Sequence, residues 1–66
     1  MHIQINGRDT EVPGGFSARE LVEQLELAGK RIAMEVNGEI LPRSGYAEHR
    51  FNDGDRIEIV HAIGGG

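Results

Sequence analysis

Residues 16–29 read FSARELVEQLELAG, and no other stretch of the chain carries so strong a local signal. Ser17 is a good N-cap, and Glu20 stands where it completes a capping box, in which two side chains satisfy backbone N–H groups at the helix start. Phe16 before the cap and Leu21 inside the helix are spaced for a hydrophobic staple. Ala18, Leu21, Val22, Leu25 and Ala28 recur at helical spacing, while Arg19, Glu20, Glu23, Gln24 and Glu26 fall mostly on the opposite side. Gly29 suits the position just past a helix end, and Lys30 and Arg31 bring positive charge to the negative end of the helix dipole. The spacing predicts one helix over Ala18–Ala28, with an apolar stripe that must lie on another element.

On either side of the helix the period changes from helical to alternating. Met1, Ile3 and Ile5 alternate with His2, Gln4 and Asn6, which means a strand with one buried face. Asn6-Gly7 suits the positive φ angles of a two-residue hairpin turn. Thr10, Glu11 and Val12 read as the returning strand, stopped by Pro13-Gly14-Gly15. After the helix, Ile32, Met34 and Val36 alternate with Ala33 and Glu35 as a third strand. Asn37-Gly38 is a second turn signal, followed by a short strand at Glu39-Ile40-Leu41 that Pro42 ends. Ser44 with Tyr46, Ala47 and Glu48 suggests one helical turn, and Asp53-Gly54-Asp55 is a tight turn. Arg56 to Ala62 alternates again, with Ile57 and Ile59 on one face and Glu58, Val60 and Ala62 on the other.

One helix with one apolar stripe must cover the apolar face of one sheet. The first and last strands are the most apolar, so they belong side by side at the sheet centre. If they run parallel, the hairpin and helix form the crossover between them. The expected class is α+β: a β-grasp (ubiquitin-like) fold, with a mixed four- to five-stranded sheet covered on one face by one main helix. Residues 1–62 form that domain, and residues 63–66 a flexible glycine-rich C-terminal tail. Met1, Ile3, Ile5, Val12, Leu21, Val22, Leu25, Met34, Val36, Ile57 and Ile59 are the expected core.

Size and charge narrow the function. A chain of 66 residues buries only about 60% of the surface it exposes when unfolded, which leaves little room for a deep substrate cavity. It has no cysteine, which excludes disulfides, a cysteine-ligated zinc, a cysteine nucleophile and a persulfide on this chain. A reduced, cytoplasmic setting fits that composition. The net charge of −4 makes nucleic acid and anionic membranes poor partners. No apolar run reaches the roughly 20 residues of a membrane span, and the alternating N-terminus lacks the basic region of a signal peptide.

The feature that propensity leaves unexplained is the ending, Gly64-Gly65-Gly66, directly after the last strand. Glycine is costly to order and has no side chain to pack. Four residues from Ile63 reach roughly 13–14 Å when extended, and without Cβ atoms such a stalk can enter a narrow channel in a partner enzyme. An alternating Met1-His2-Ile3-Gln4-Ile5 opening, Asn6-Gly7, LVEQL at Leu21–Leu25, VNGEILPR at Val36–Arg43, DGDRIEIV at Asp53–Val60 and the Gly65-Gly66 end together resemble the ubiquitin-like sulfur carriers. Within that group the chain is most similar to the ThiS family of thiamine biosynthesis, over its whole length. The extra glycine is a mild departure, since the last two still match the family's pair.

The resemblance implies a specific chemistry. Gly66, as the family's C-terminal glycine, is adenylated by an E1-like enzyme of the ThiF type using ATP, while the carrier itself binds no cofactor. The acyl-adenylate becomes a thiocarboxylate, with sulfur drawn from cysteine through a cysteine desulfurase or sulfurtransferase. A thiazole synthase of the ThiG type then takes that sulfur. The chain is on this reading a cosubstrate and not an enzyme. Elementary chemistry agrees: a terminal carboxylate is ionised at pH 7, and it resists displacement until activated.

Other residues offer less. His2, His49 and His61 show no metal-ligand spacing, and Glu20, Glu23 and Glu26 read as a solvated helix face. Asp53 and Asp55 lack the further oxygen ligands of a calcium loop, and Pro13-Gly14-Gly15 lacks the lysine of a phosphate-binding loop. Three alternatives share the fold and the ending: the small subunit of molybdopterin synthase, a ubiquitin-like modifier conjugated to lysines, and a binding module with an idle tail. Because a glycine tail carries no identity of its own, the folded surface that feeds it must be recognised. Val60, Ala62 and Ile63, with Ala33 if the third strand pairs there, form the expected docking patch, and Gly64, Gly65 and Gly66 the segment in the partner's channel.

Overall fold

In the computed structural model the described residues are 1–61. They form β1 (His2–Ile5), β2 (Arg8–Glu11), α1 (Ala18–Gln24), β3 (Ile32–Val36), β4 (Glu39–Leu41), a 3-10 turn (Arg43–Gly45) and β5 (Arg56–His61). The strands make one sheet in the order β2-β1-β5-β3-β4. β1 and β5 are parallel neighbours, and every other pairing is antiparallel. The expected β-grasp arrangement is therefore present, with five strands, and the β1–β2 hairpin and α1 make the crossover.

Both hairpins turn through an Asn-Gly pair with positive φ at both positions, 50° and 83° at Asn6-Gly7 and 52° and 84° at Asn37-Gly38. That is the backbone whose twist matches the flanking strands. α1 starts on the expected capping box: Glu20 N–H donates to Ser17 Oγ at 3.1 Å, and Ser17 N–H donates to Glu20 Oε1 at 2.9 Å. The bond from the Ser17 backbone, and then that with its side chain, holds the Glu20 carboxyl below its ordinary range.

The helix is shorter than its apolar spacing predicts. It ends at Gln24 with Leu25 as C-cap, not at Ala28. Glu26 adopts φ 59°, its N–H donates to the Glu23 carbonyl at 3.0 Å, and Leu27 N–H donates to the Val22 carbonyl at 2.8 Å. Those two bonds define a Schellman ending, built here on a glutamate in the position that favours glycine. Leu27 folds back to pack against the core, and Leu25, whose spacing matches Leu21 and Val22, is left 41% exposed. Gly29 serves a later turn, closed by Lys30 N–H donating to the Leu27 carbonyl at 3.0 Å. Lys30 and Arg31 thus lie beyond the helix, whose last turn holds no basic residue.

The core lies between α1 and the inner face of the sheet: Ile3, Val12, Phe16, Ala18, Leu21, Val22, Met34, Val36, Tyr46, Phe51 and Ile57. Met1, Ile5 and Ile59 from the expected set are half-buried around it. Leu25 is outside it; Phe16, expected only as a staple on Leu21, is a full member, and Tyr46 and Phe51 were not foreseen. These aromatics come from irregular segments, where no period marks a buried face. The 3-10 turn begins one residue earlier than the expected helical turn and brings Tyr46 inward.

Candidate functional site

β5 leads to the glycine ending, and its placement fixes where that ending begins. Ala62, Ile63, Gly64, Gly65 and Gly66 lie outside the described residues. The strand before them is gripped from both sides by the two hairpin asparagines. On the β1 side, Asn6 N–H donates to the Ile57 carbonyl at 2.8 Å. Where β1 ends, the Asn6 carboxamide takes over the ladder: Ile59 N–H donates to Oδ1 at 2.8 Å, and Nδ2 donates to the Ile59 carbonyl at 3.3 Å.

On the β3 side, Asn37 N–H donates to the Arg56 carbonyl at 2.7 Å, and Arg56 N–H donates to Asn37 Oδ1 at 2.9 Å. Asn37 Nδ2 donates to Asp55 Oδ1 at 3.0 Å, while Asp55 Oδ2 accepts from Asn52 N–H at 2.8 Å. Asp55 is buried, and this pair of bonds satisfies both its oxygens, as burial of a carboxylate requires. The sequence showed Asn6, Asn37 and Asp55 only as turn formers. Their second role depends on which strand lies beside each turn, and that is a matter of topology.

Alternation along β5 sets its two faces. Ile57 is buried and Ile59 half-buried on the helix side, while Glu58 and Val60 are exposed on the other. Ala33 on β3 is the cross-strand partner of Val60 and is also exposed. The structure thus brings together Val60 and Ala33, the two members of the expected patch that it describes. Ile40 joins the same open face at 73% exposure. It was missed because a three-residue strand shows no alternation of its own; only the pairing of Leu41 with buried Met34 turns Ile40 outward. Among the described residues no three His, Cys, Asp or Glu side chains stand close enough to hold a metal ion, and no helix is long and apolar enough to cross a membrane.

A lone surface patch on a small sheet could serve many proteins, so the comparison over the full length carries weight. The model of the ThiS family matches residues 3–66, the glycine ending included. The chain belongs to the ThiS family. It is 35% identical over 66 residues to the sulfur carrier protein ThiS of Escherichia coli, with 100% of both chains covered. It is 39% identical over 66 residues to a thiazole synthase of Paramagnetospirillum magneticum, but spans only 20% of that longer protein. The crystal structure of a thiamine biosynthesis protein (ThiS) from Geobacter metallireducens matches the fold with a TM-score of 0.81, at 32% identity and with 100% of each chain covered. As a ThiS-family member the chain is a sulfur carrier of thiamine thiazole biosynthesis, a protein cosubstrate and not an enzyme.

Proposed function

We propose that the sulfur is carried as a thiocarboxylate on Gly66. The observation that supports this most is the family match running through residue 66 in a chain that has no cysteine: with no side-chain thiol, the terminal carboxylate is the group left for covalent sulfur. A ThiF-type, E1-like enzyme adenylates Gly66 with ATP and releases pyrophosphate. The carboxylate oxygen attacks the α-phosphorus, so that AMP becomes the leaving group that the bare carboxylate lacks. The outer sulfur of a persulfide, formed from cysteine on a desulfurase or sulfurtransferase, attacks the acyl carbon and displaces AMP to give an acyl disulfide, and a thiol then cleaves that disulfide, leaving the thiocarboxylate on Gly66 and a new disulfide between the thiol and the sulfur donor. A ThiG-type thiazole synthase receives the thiocarboxylate and takes its sulfur. The likeness to a thiazole synthase that contains a matching segment favours that last partner.

Residues 1–62 act as the recognised body, and residues 63–66 as the stalk, with Gly64, Gly65 and Gly66 in the enzyme's channel. Val60, Ala33, Ala62 and Ile63 form the docking patch beside it. ATP belongs to the partner, and the cycle runs in the cytoplasm, where the reduced sulfur pool lies. Val60 is 60% exposed, so Val60→Asp changes folding stability by no more than about 0.5 kcal/mol. It slows adenylation roughly tenfold or more, because an unpaired charge is then buried against the partner. Unchanged adenylation kinetics refute the patch; a large loss of stability refutes the outward placement of Val60.

A further inference from the structure

On the helix side of the sheet the early end of α1 borders a groove of about 300 Å³. The chain reverses at Glu26 and loops out before it enters β3, and residues 43–47 line the other side of the space. The floor is made by the core itself: Val22 and Tyr46 are buried there, and Leu27 and Ile32 are half-buried. Two bonds tie the walls together. Arg19 N–H donates to the Tyr46 carbonyl at 3.0 Å, and Arg43 Nη2 donates to the Lys30 carbonyl at 2.7 Å. The rim holds Arg19, Lys30 and Arg43, out of 7 lysines and arginines in the chain, against one carboxylate, Glu23. Glu23 is taken up by Arg19 at 3.5 Å. Lys30 and Arg43 pair with no carboxylate among the described residues. A chain of net charge −4 thus gathers a surplus of positive charge at the edge of an apolar floor.

We propose that this groove binds a small aryl phosphate, with the ring on the apolar floor and the phosphate held by Lys30 and Arg43. Charge selects the phosphate. A phosphate monoester is close to a dianion at neutral pH, which matches two unpaired cations, whereas a carboxylate would leave one of them unmatched. Arg43 is held in place by its bond to the Lys30 carbonyl, so its remaining N–H groups are already ordered before a ligand arrives. A guanidinium presents them as a fork that fits phosphate oxygens, and a lysine adds a compact point charge. Size selects the body of the ligand: about 300 Å³ lies at the lower limit of small-molecule pockets and suits a single ring. A flat ring also stacks favourably on the Tyr46 ring or the Arg43 guanidinium. The groove lies across the sheet from exposed Val60 and Ala33, so the ligand and a partner on the open face can be held together. Ile32, which lines it, is the cross-strand partner of His61, and this places the ligand beside the end of β5. The binding is independent of the sulfur chemistry at Gly66.

The test is an amide NMR titration of the full chain with phenyl phosphate, inorganic phosphate and benzoate, at one neutral pH and constant ionic strength. Phenyl phosphate should shift the amides of residues 27–30 and 46–47 to saturation. Inorganic phosphate keeps the charge without the ring, and benzoate keeps the ring with a single charge; each should bind roughly tenfold more weakly or worse. R43Q and K30Q should each weaken phenyl phosphate about tenfold, the loss expected of one charge-assisted hydrogen bond. R43Q also cuts the bond between the walls. K30Q keeps that bond, because Arg43 uses the Lys30 carbonyl and not its side chain, so a loss in K30Q reports charge and not collapse of the groove. No saturable shift at these amides overturns the proposal. So does an affinity for phenyl phosphate that K30Q leaves unchanged. Equal affinity for inorganic phosphate also overturns it, since the rim would then hold any anion, and equal affinity for benzoate removes the selection by charge.

Discussion

Asn6→Gly tests how β5 is aimed. Glycine adopts the φ of 50° at this position without steric cost, so the turn is kept and the carboxamide is lost. The loss removes two bonds to Ile59, at 2.8 Å and 3.3 Å. A net hydrogen bond contributes about 0.5–1.5 kcal/mol; the shorter bond belongs near the middle of that range and the longer one at its foot. Both are exposed, so water replaces part of each. Glycine's added freedom in the unfolded chain, roughly 0.5 kcal/mol, is offset by relief of the left-handed conformation. The expected cost is about 1 kcal/mol, read from urea unfolding. The sharper readout is amide hydrogen exchange at Ile59, which should lose more protection than the global change accounts for. Ile59 exchange that moves only with global stability would refute the grip of Asn6 on the strand. Asn6→Asp keeps the acceptor for Ile59 N–H but not the donor, and should fall between the two.

The early helix end separates two leucines that share an apolar spacing. Leu21→Ala should cost about 2–5 kcal/mol because Leu21 is 1% exposed, whereas Leu25→Ala, at 41% exposure, should cost less than about 1 kcal/mol; paired urea titrations check both. Glu26→Gly should raise stability by roughly 1 kcal/mol, since glycine removes the left-handed strain at φ 59°. An unchanged or lower urea midpoint there would contradict the Schellman ending.

The order of elements along the chain was legible because local signals agreed with one another. The Asn-Gly turns, the alternation in β1, β3 and β5, and the capping box at Ser17 each reported their element without help from the rest of the chain. The helix end was not legible, because two signals competed. Periodicity extended the stripe to Leu25 and Ala28, while burial of Leu27 needed the chain to reverse at Glu26. Tyr46 and Phe51 were hidden for a related reason: they enter the core from a 3-10 turn and a loop. The exposure of Val60 and its pairing with Ala33 followed from the period of two in their strands. The roles of Asn6 and Asn37 could not be read in advance, because each contacts a strand remote in sequence.

The central claim is that sulfur resides on the terminal glycine. The most direct measurement is intact mass and C-terminal peptide mass after incubating the carrier with its ThiF-type enzyme, ATP and a sulfide source. The account predicts a product in which one oxygen at Gly66 is replaced by sulfur, formed only with ATP and absent when Gly66 is removed from a carrier that still folds. Sulfur located elsewhere in the chain, or unmodified carrier beside an enzyme that loads a reference carrier, would contradict it.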